Sequence, residues 1–374
     1  MKKFFALIIL IIILFSGCRN GKDINERVIV QGIGIDSSDN GVTVTVQVLN
    51  TDTYSGIGGT KVPKELVVNY TLNGKTVGNA LSTLSEKSGK EPLFTHTRVV
   101  VIGKGYLNKS IDGLLDFFSR DSSCRANLHL AVCKGQASEL FTKTMQDENI
   151  PSVMIENVLK SSKFSSDTVD IRIYEFLKMT REKTTNPFLP VLELKSNESD
   201  YTVNITGTAV FGNNMFLSVM NREQTSYLKL LTNRINEGSY YFDDGKTKAS
   251  FDCYKTKTDI KAETLETGKT VFNISVKLVL DNIEYISEND SFLDKNEIDE
   301  LENSIGKSVS ESLYSFIRES VSEKNVDCIR FGRVYILDNR LSVNETDKNW
   351  SGILNEAEYN VNVKVRIRRI GQEN

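Results

Sequence analysis

Arg98-Val99-Val100-Val101-Ile102-Gly103 is a short unbroken apolar run, and Leu128-His129-Leu130-Ala131-Val132-Cys133 is a second one. Between them Ile111, Leu114, Leu115 and Phe118 fall at helical spacing, with Asn108 placed as a cap. This strand-helix-strand succession predicts a mixed sheet with helices packed on it. Toward the N-terminus, Arg27 to Asp36 and Val42 to Asn50 read as strands joined by the polar turn 37–41. Val42, Val44, Val46 and Val48 line one face of the second strand. A glycine-rich loop, Tyr54 to Pro63, precedes a strand at Glu65 to Leu72. Val77, Ala80, Leu81 and Leu84 then mark a helix that stops at Gly89.

Toward the C-terminus, Pro151 opens a helix and a further one is read over Asp170 to Arg181. The polar stretch Lys195 to Tyr201 is taken as the main boundary. Beyond it lie a hairpin around Gly212-Asn213-Asn214, a helix over Arg222 to Arg234, and two long strands, Ala249 to Lys261 and Thr270 to Glu284. The clearest helix runs from Lys295 to Val321: Asp294 and Glu297 form a capping box, and Leu301, Ile305, Val309, Leu313 and Phe316 recur at spacings of three and four. The last strand, Glu358 to Ile370, places Val361, Val363, Val365 and Ile367 on one face. The expected fold class is α+β, with mixed sheets each packed with helices. An N-terminal α/β region spans 24–195 and a C-terminal α+β domain 202–374.

Residues 1–18 set the location. Lys2 and Lys3 precede twelve apolar residues, Phe4 to Phe15, and then Ser16-Gly17-Cys18. Twelve helical residues span about 18 Å, short of the roughly 30 Å hydrocarbon core, so residues 1–17 read as a signal peptide. Ser-Gly-Cys resembles a bacterial lipobox, in which the cysteine carries diacylglycerol. That predicts a mature chain starting at Cys18, a short anchored N-terminus over 18–23, and a body tethered outside the cytoplasmic membrane.

Chemistry-bearing motifs are sparse. The formal charge of −3 argues against a general nucleic-acid binder. With two histidines, His96 and His129, and neither H-E-x-x-H nor C-x-x-C, neither a zinc site nor any other cofactor is expected. Gly32-Ile33-Gly34 follows a strand, but Asp36 and a second strand come where a dinucleotide site needs a third glycine and a helix. These glycines are read as allowing close packing or a bulge. His96, two residues before Arg98, is read as a hydrogen-bonded structural histidine, and Arg120 and Arg125 as members of an Arg-Asp arrangement around Asp121. Of the cysteines, Cys133 and Cys328 sit among apolar neighbours, and no disulfide follows from the spacing of Cys124, Cys133, Cys253 and Cys328. Lys364, Arg366 and Arg368 lie opposite the valines of the last strand, a ribbon read as protection of a sheet edge, with anionic headgroups as the other reading.

The order of these segments resembles the Ger(x)C spore germination lipoproteins. The resemblance rests on Phe15-Ser16-Gly17-Cys18, Gly32-Ile33-Gly34-Ile35-Asp36, His96 to Gly103, Phe117-Phe118-Ser119-Arg120 and Arg125 to Ala131. It continues through Gly207 to Phe211, Asp327-Cys328-Ile329-Arg330-Phe331-Gly332 and Trp350. Arg19-Asn20 departs from the Trp-Asp pair that follows the lipid cysteine in such proteins. It implies a non-enzymatic subunit of a nutrient germinant receptor on the outer face of the inner spore membrane, with polytopic A and B subunits as partners. It also implies a further division of the N-terminal half. A lipid-anchored solute-binding protein or envelope enzyme is the competing class. The chain lacks both the two regular βαβ lobes of the first and the nucleophile-base or metal cluster of the second.

Overall fold

The computed structural model describes residues 26–50, 66–120, 124–146, 148–197, 200–235, 237–245, 247–287 and 295–369. The leader with Cys18, the loop 54–63, Asp121 and the Asp294 cap lie outside the described residues.

Strands β1 (Arg27–Ser38) and β2 (Gly41–Leu49) form the expected hairpin, and β3 (Val67–Gly74) pairs antiparallel with β2. Helix α1 (Val77–Ser82) starts at Thr76, whose hydroxyl accepts the Asn79 N–H. It breaks at Thr83, and α2 (Leu84–Ser88) ends at Gly89, whose φ of 66° is the left-handed stop. A short β4 (Glu91–Leu93) pairs with β1. The predicted succession then appears as β5 (Val99–Ile102), α3 (Asp112–Arg120) and β6 (His129–Cys133), with β1, β5 and β6 parallel and the last two buried throughout. Ser110, and not Asn108, holds the start of α3: its Oγ accepts the Asp112 N–H at 3.2 Å, because residues 104–108 already form a 3₁₀ turn of their own.

Helices α4 (Ala137–Thr142), α5 (Pro151–Lys160) and α6 (Ile173–Arg181) follow, and β7 (Phe188–Asn197), β8 (Asp200–Gly212) and β9 (Met215–Met220) complete the sheet. Its order is β3-β2-β1-β5-β6-β7-β8-β9, with β4 off this path. Asn213 and Asn214, at φ 50° and 59°, make the left-handed turn between β8 and β9. The stretch expected as a domain boundary does not end this sheet. β7 pairs with β8 as far as Asn197 and Asp200, so two strands of the first sheet lie beyond residue 197. The exposed Lys195, Ser196 and Asn197 mark the wet end of a hairpin, where polarity carries no information about strand pairing.

After α7 (Arg222–Leu231), whose N-terminus carries an Asn221–Gln224 capping box, comes a second sheet. It orders β10 (Ser239–Asp243), β11 (Thr247–Thr264), β12 (Thr270–Ser287) and β13 (Glu358–Arg369), antiparallel except for the parallel pair β12–β13. Helix α8 (Lys295–Ile317) buries the predicted stripe and widens into a π-helical turn over Arg318–Glu323 that still buries Val321. It lies along β13. A Cβ on Gly306 would stand only 3.1 Å from the Val363 carbonyl oxygen. Ser310 Oγ donates to the Val361 carbonyl at 2.9 Å, and Glu302 Oε1 accepts the Ile367 N–H at 2.6 Å. The outer edge of β13 is therefore occupied by a helix. Two further helices, α9 (Phe331–Asp338) and α10 (Val343–Glu356), connect α8 to β13.

One face of the first sheet buries Val99, Val101, Ala131, Leu140, Phe141 and Ile155. The other joins a core that passes from Val100 and Leu130 through Phe176, Phe188 and Phe211 to Phe272 and Phe331 at the second sheet. Edge-on Phe176–Phe211 and tilted Phe272–Phe331 ring pairs, 5.4 and 4.7 Å apart, sit within it. The two sheets share one apolar interior.

Candidate functional site

β1 carries the Gly-Ile-Gly-Ile-Asp segment into the centre of the first sheet, beside a bulge between Val30 and Gly32. A Cβ on Gly32 would meet the Phe141 ring at 2.4 Å and Ser152 at 2.9 Å, and one on Gly34 would meet Phe141 at 3.1 Å. The missing side chains let α4 and α5 close onto the strand. Two residues on, the Asp36 carboxylate accepts the Ala137 and Ser138 N–H groups at 2.7 and 2.9 Å and caps α4 across a long sequence gap. Gln47 completes the junction, donating to the Phe141 carbonyl at 3.1 Å and accepting the Ser152 N–H at 2.9 Å. The space a phosphate would need is filled by Phe141.

Arg98 continues this junction toward α5. Its Nε donates to Gln31 Oε1 at 2.9 Å and its Nη1 to Glu156 Oε2 at 2.5 Å, while Lys160 reaches the other Glu156 oxygen at 2.5 Å. Burial alone would raise the Glu156 carboxyl; the bonds from Lys160 and Arg98 outweigh it and hold the group below its ordinary range. His129 is fully buried beside them. Its Nδ1 lies 2.6 Å from Asp170 Oδ1, and its Nε2 stands 3.9 Å from Glu156 without a hydrogen-bond partner.

Gly32, Gly34, Asp36 and Arg98 thus come together, and the other expected residues do not. His96 is the exposed last residue of a 3₁₀ turn that begins at the buried Phe94, and the buried Thr97 follows it. Among the described residues its ring has no hydrogen bond, so it is not the bonded structural histidine expected. Arg120 pairs with Asp116 one turn back on its own helix at 2.6 Å, and Arg125 is exposed.

Chemically, the junction ties backbone segments together. Burial pushes the thiols of Cys133 and Cys253 up to about 12 and about 11 and that of Cys328 well above its ordinary value, which keeps them protonated at neutral pH. Cys133, Cys253 and Cys328 are free thiols, and the two expected as small buried hydrophobes, Cys133 and Cys328, are buried. Among the described residues no group of His, Cys, Asp and Glu is arranged to hold a metal.

A second junction has no signal in the sequence beyond its place in a motif. Asp327 is buried between the two sheets. Its Oδ1 accepts the Arg330 and Phe331 N–H groups at 2.7 and 3.0 Å, and its Oδ2 accepts the Gly332 N–H at 2.9 Å, which caps α9. Burial pushes the carboxyl up to about 6, although these amides pull the other way. Asn186 binds both sides of the gap: its N–H donates to the Asp327 carbonyl at 2.8 Å, its Oδ1 accepts the Asp327 N–H at 2.8 Å, and its Nδ2 donates to Phe211 O at 2.9 Å. Glu182 receives Arg330 and Arg333 at 3.0 and 3.2 Å. A Cβ on Gly332 would meet Thr184 at 2.4 Å, and Arg330 sits at φ 76°. The Asp-x-x-x-Phe-Gly order was the available signal, but a left-handed arginine between the acid and its helix conceals the cap.

Sequence profiles described as "Spore germination protein N-terminal domain" and "Spore germination B3/ GerAC like, C-terminal" match residues 20–194 and 206–371. Spore germination protein B3 of Bacillus subtilis is 24% identical over 98% of this chain and 97% of its own length. Spore germination protein KC of the same organism is 23% identical over 99% and 96%, and GerQC of Bacillus cereus 22% identical over 90% and 91%. A crystal structure of the GerBC protein superposes with a TM-score of 0.58 at 20% identity, covering 90% of this chain and 96% of that one. Among the described residues no helix is long and apolar enough to cross a membrane.

Proposed function

The chain belongs to the GerAC-like spore germination family, and from that membership we propose that it is the lipid-anchored, non-enzymatic C subunit of a nutrient germinant receptor. The observation that carries this reading is the match of both family domains, in order, over nearly the whole chain. Anchoring is supported by Ser16-Gly17-Cys18 after an apolar segment too short to span a bilayer. A role without turnover is supported by the two junctions, whose carboxylates are committed to backbone amides and cations and whose thiols are held protonated. On this reading the body stands on the outer face of the inner spore membrane and works with polytopic A and B subunits.

Mass spectrometry of the mature N-terminus tests the anchor. The expected species begins at Cys18 and carries a diacylglycerol thioether, and Cys18→Ala leaves the chain unprocessed or released. Cleavage elsewhere with an unmodified Cys18 would refute anchoring. Loss of nutrient-triggered germination on deleting the folded body tests the receptor role separately.

A further inference from the structure

The second sheet has one face under α8 and one that the described residues leave open, and this open face carries a basic ladder. Lys257, Lys277 and Lys364 are direct neighbours across β11, β12 and β13, and in the next row Lys255 and Arg366 flank Val279. All five cations are exposed, and among the described residues none has an ion pair or a hydrogen bond. Like charges placed directly opposite on neighbouring strands destabilise a sheet, so folding alone does not account for this row. Edge protection does not account for it either. The edge of β13 is closed by Glu302, Gly306 and Ser310 of α8, and these cations project from the face.

The carboxylates nearby leave the ladder uncompensated. Asp281 is committed to Arg368, whose Nε it receives at 2.9 Å and whose guanidinium lies 3.5 Å over the Tyr254 ring. Asp259 lies one row beyond Lys257, beside Ser275 and Asn362, and Asp252 lies opposite Asp281. The two central rows hold no acid. Strands sit about 4.8 Å apart, so the three lysines form a flat line about 10 Å long on a chain whose overall charge is −3.

We propose that this open face is a docking surface for anionic phospholipid headgroups, laying the second sheet on the membrane. The choice of occupant rests on the anchored reading given above. A tethered body meets a flat, negatively charged surface at high effective concentration, and each lysine or arginine near such a surface favours binding severalfold.

The test uses the chain from Arg19 onward, which retains every described element and has no lipid cysteine, so its outcome is independent of whether Cys18 is acylated. It is sedimented with vesicles of phosphatidylcholine alone or with 30 mol% phosphatidylglycerol (about one lipid in three). Expected is pelleting with the anionic vesicles only, abolished by raising salt to about 0.5 M, where screening falls to a few ångströms. Lys257→Gln/Lys277→Gln/Lys364→Gln should weaken partitioning at least tenfold while its melting temperature stays level or rises, since repulsion is relieved. Lys104→Gln/Lys143→Gln/Lys178→Gln, which removes the same charge from exposed sites elsewhere, should bind like wild type. Equal binding by both triple variants, or no pelleting of the wild type, overturns the proposal. Binding of soluble polyglutamate in preference to vesicles also overturns it, in favour of an acidic polypeptide partner.

Discussion

Replacing Asp327 by alanine withdraws the acceptor of three backbone amides in a region with no access to solvent. The side chain receives the N–H groups of Arg330, Phe331 and Gly332 at 2.7 to 3.0 Å. An orphaned buried donor costs about 1–3 kcal/mol, and the three share one site, so the expected loss is about 3–5 kcal/mol. Asp327→Asn keeps one oxygen for Arg330 and Phe331 but turns an NH2 toward the Gly332 N–H, a loss of about 1–3 kcal/mol. The carboxyl also sets a pH signature. Its folded value of about 6 lies above the ordinary aspartate value near 3.9, so the folded state holds the proton more tightly than the unfolded chain. That contribution is fully present below about pH 4 and is lost as pH rises through 6, a change of about 3 kcal/mol. The penalty of Asp327→Asn relative to wild type should therefore shrink between pH 4 and 7. Urea unfolding of residues 20–374 at several pH values measures both effects. Wild-type stability of Asp327→Ala, or a penalty independent of pH, would refute the assigned hydrogen bonds and burial.

Leu313→Ala should destabilise by about 2–5 kcal/mol and lower protein abundance, whereas Glu311→Ala on the exposed side of α8 should do neither; equal effects in a melting assay would mean the buried face is misassigned. Gly32→Ala should cost about 1–3 kcal/mol, because the added methyl overlaps Phe141 and Ser152, and an unchanged melting temperature would count against that close approach. His129→Ala should destabilise through loss of the buried contact with Asp170, and His96→Ala should be silent in both folding and germination. A chelator should leave the melting curve unchanged; a drop in midpoint would reveal a metal site.

The elements that sequence showed clearly are those whose information is local. Apolar runs at 98–103 and 128–133, the alternation from Val42 to Val48 and the stripe from Leu301 to Phe316 each match their element. The same holds for Pro151 at a helix start and for Gly89 and Asn213-Asn214 at turns. What stayed hidden depends on contacts between distant residues. Nothing near Asp36 announces that it caps a helix at Ala137, and nothing near Asn186 announces Asp327. The strand from Phe188 to Asn197 begins apolar and ends in Lys-Ser-Asn, which resembles a linker until its partner is in place. The basic ladder was visible only as alternate cations on the last strand, because its other half comes from β11 and β12.

On the proposed reading this protein acts by assembling with membrane-spanning receptor subunits. The most direct measurement is affinity isolation of the tagged, full-length chain from detergent-solubilised inner membranes of dormant spores, followed by mass spectrometry. Recovery of polytopic A and B subunits together with a chain lipidated at Cys18 is expected. Recovery of the chain alone, from spores in which those subunits are present and intact, would contradict it.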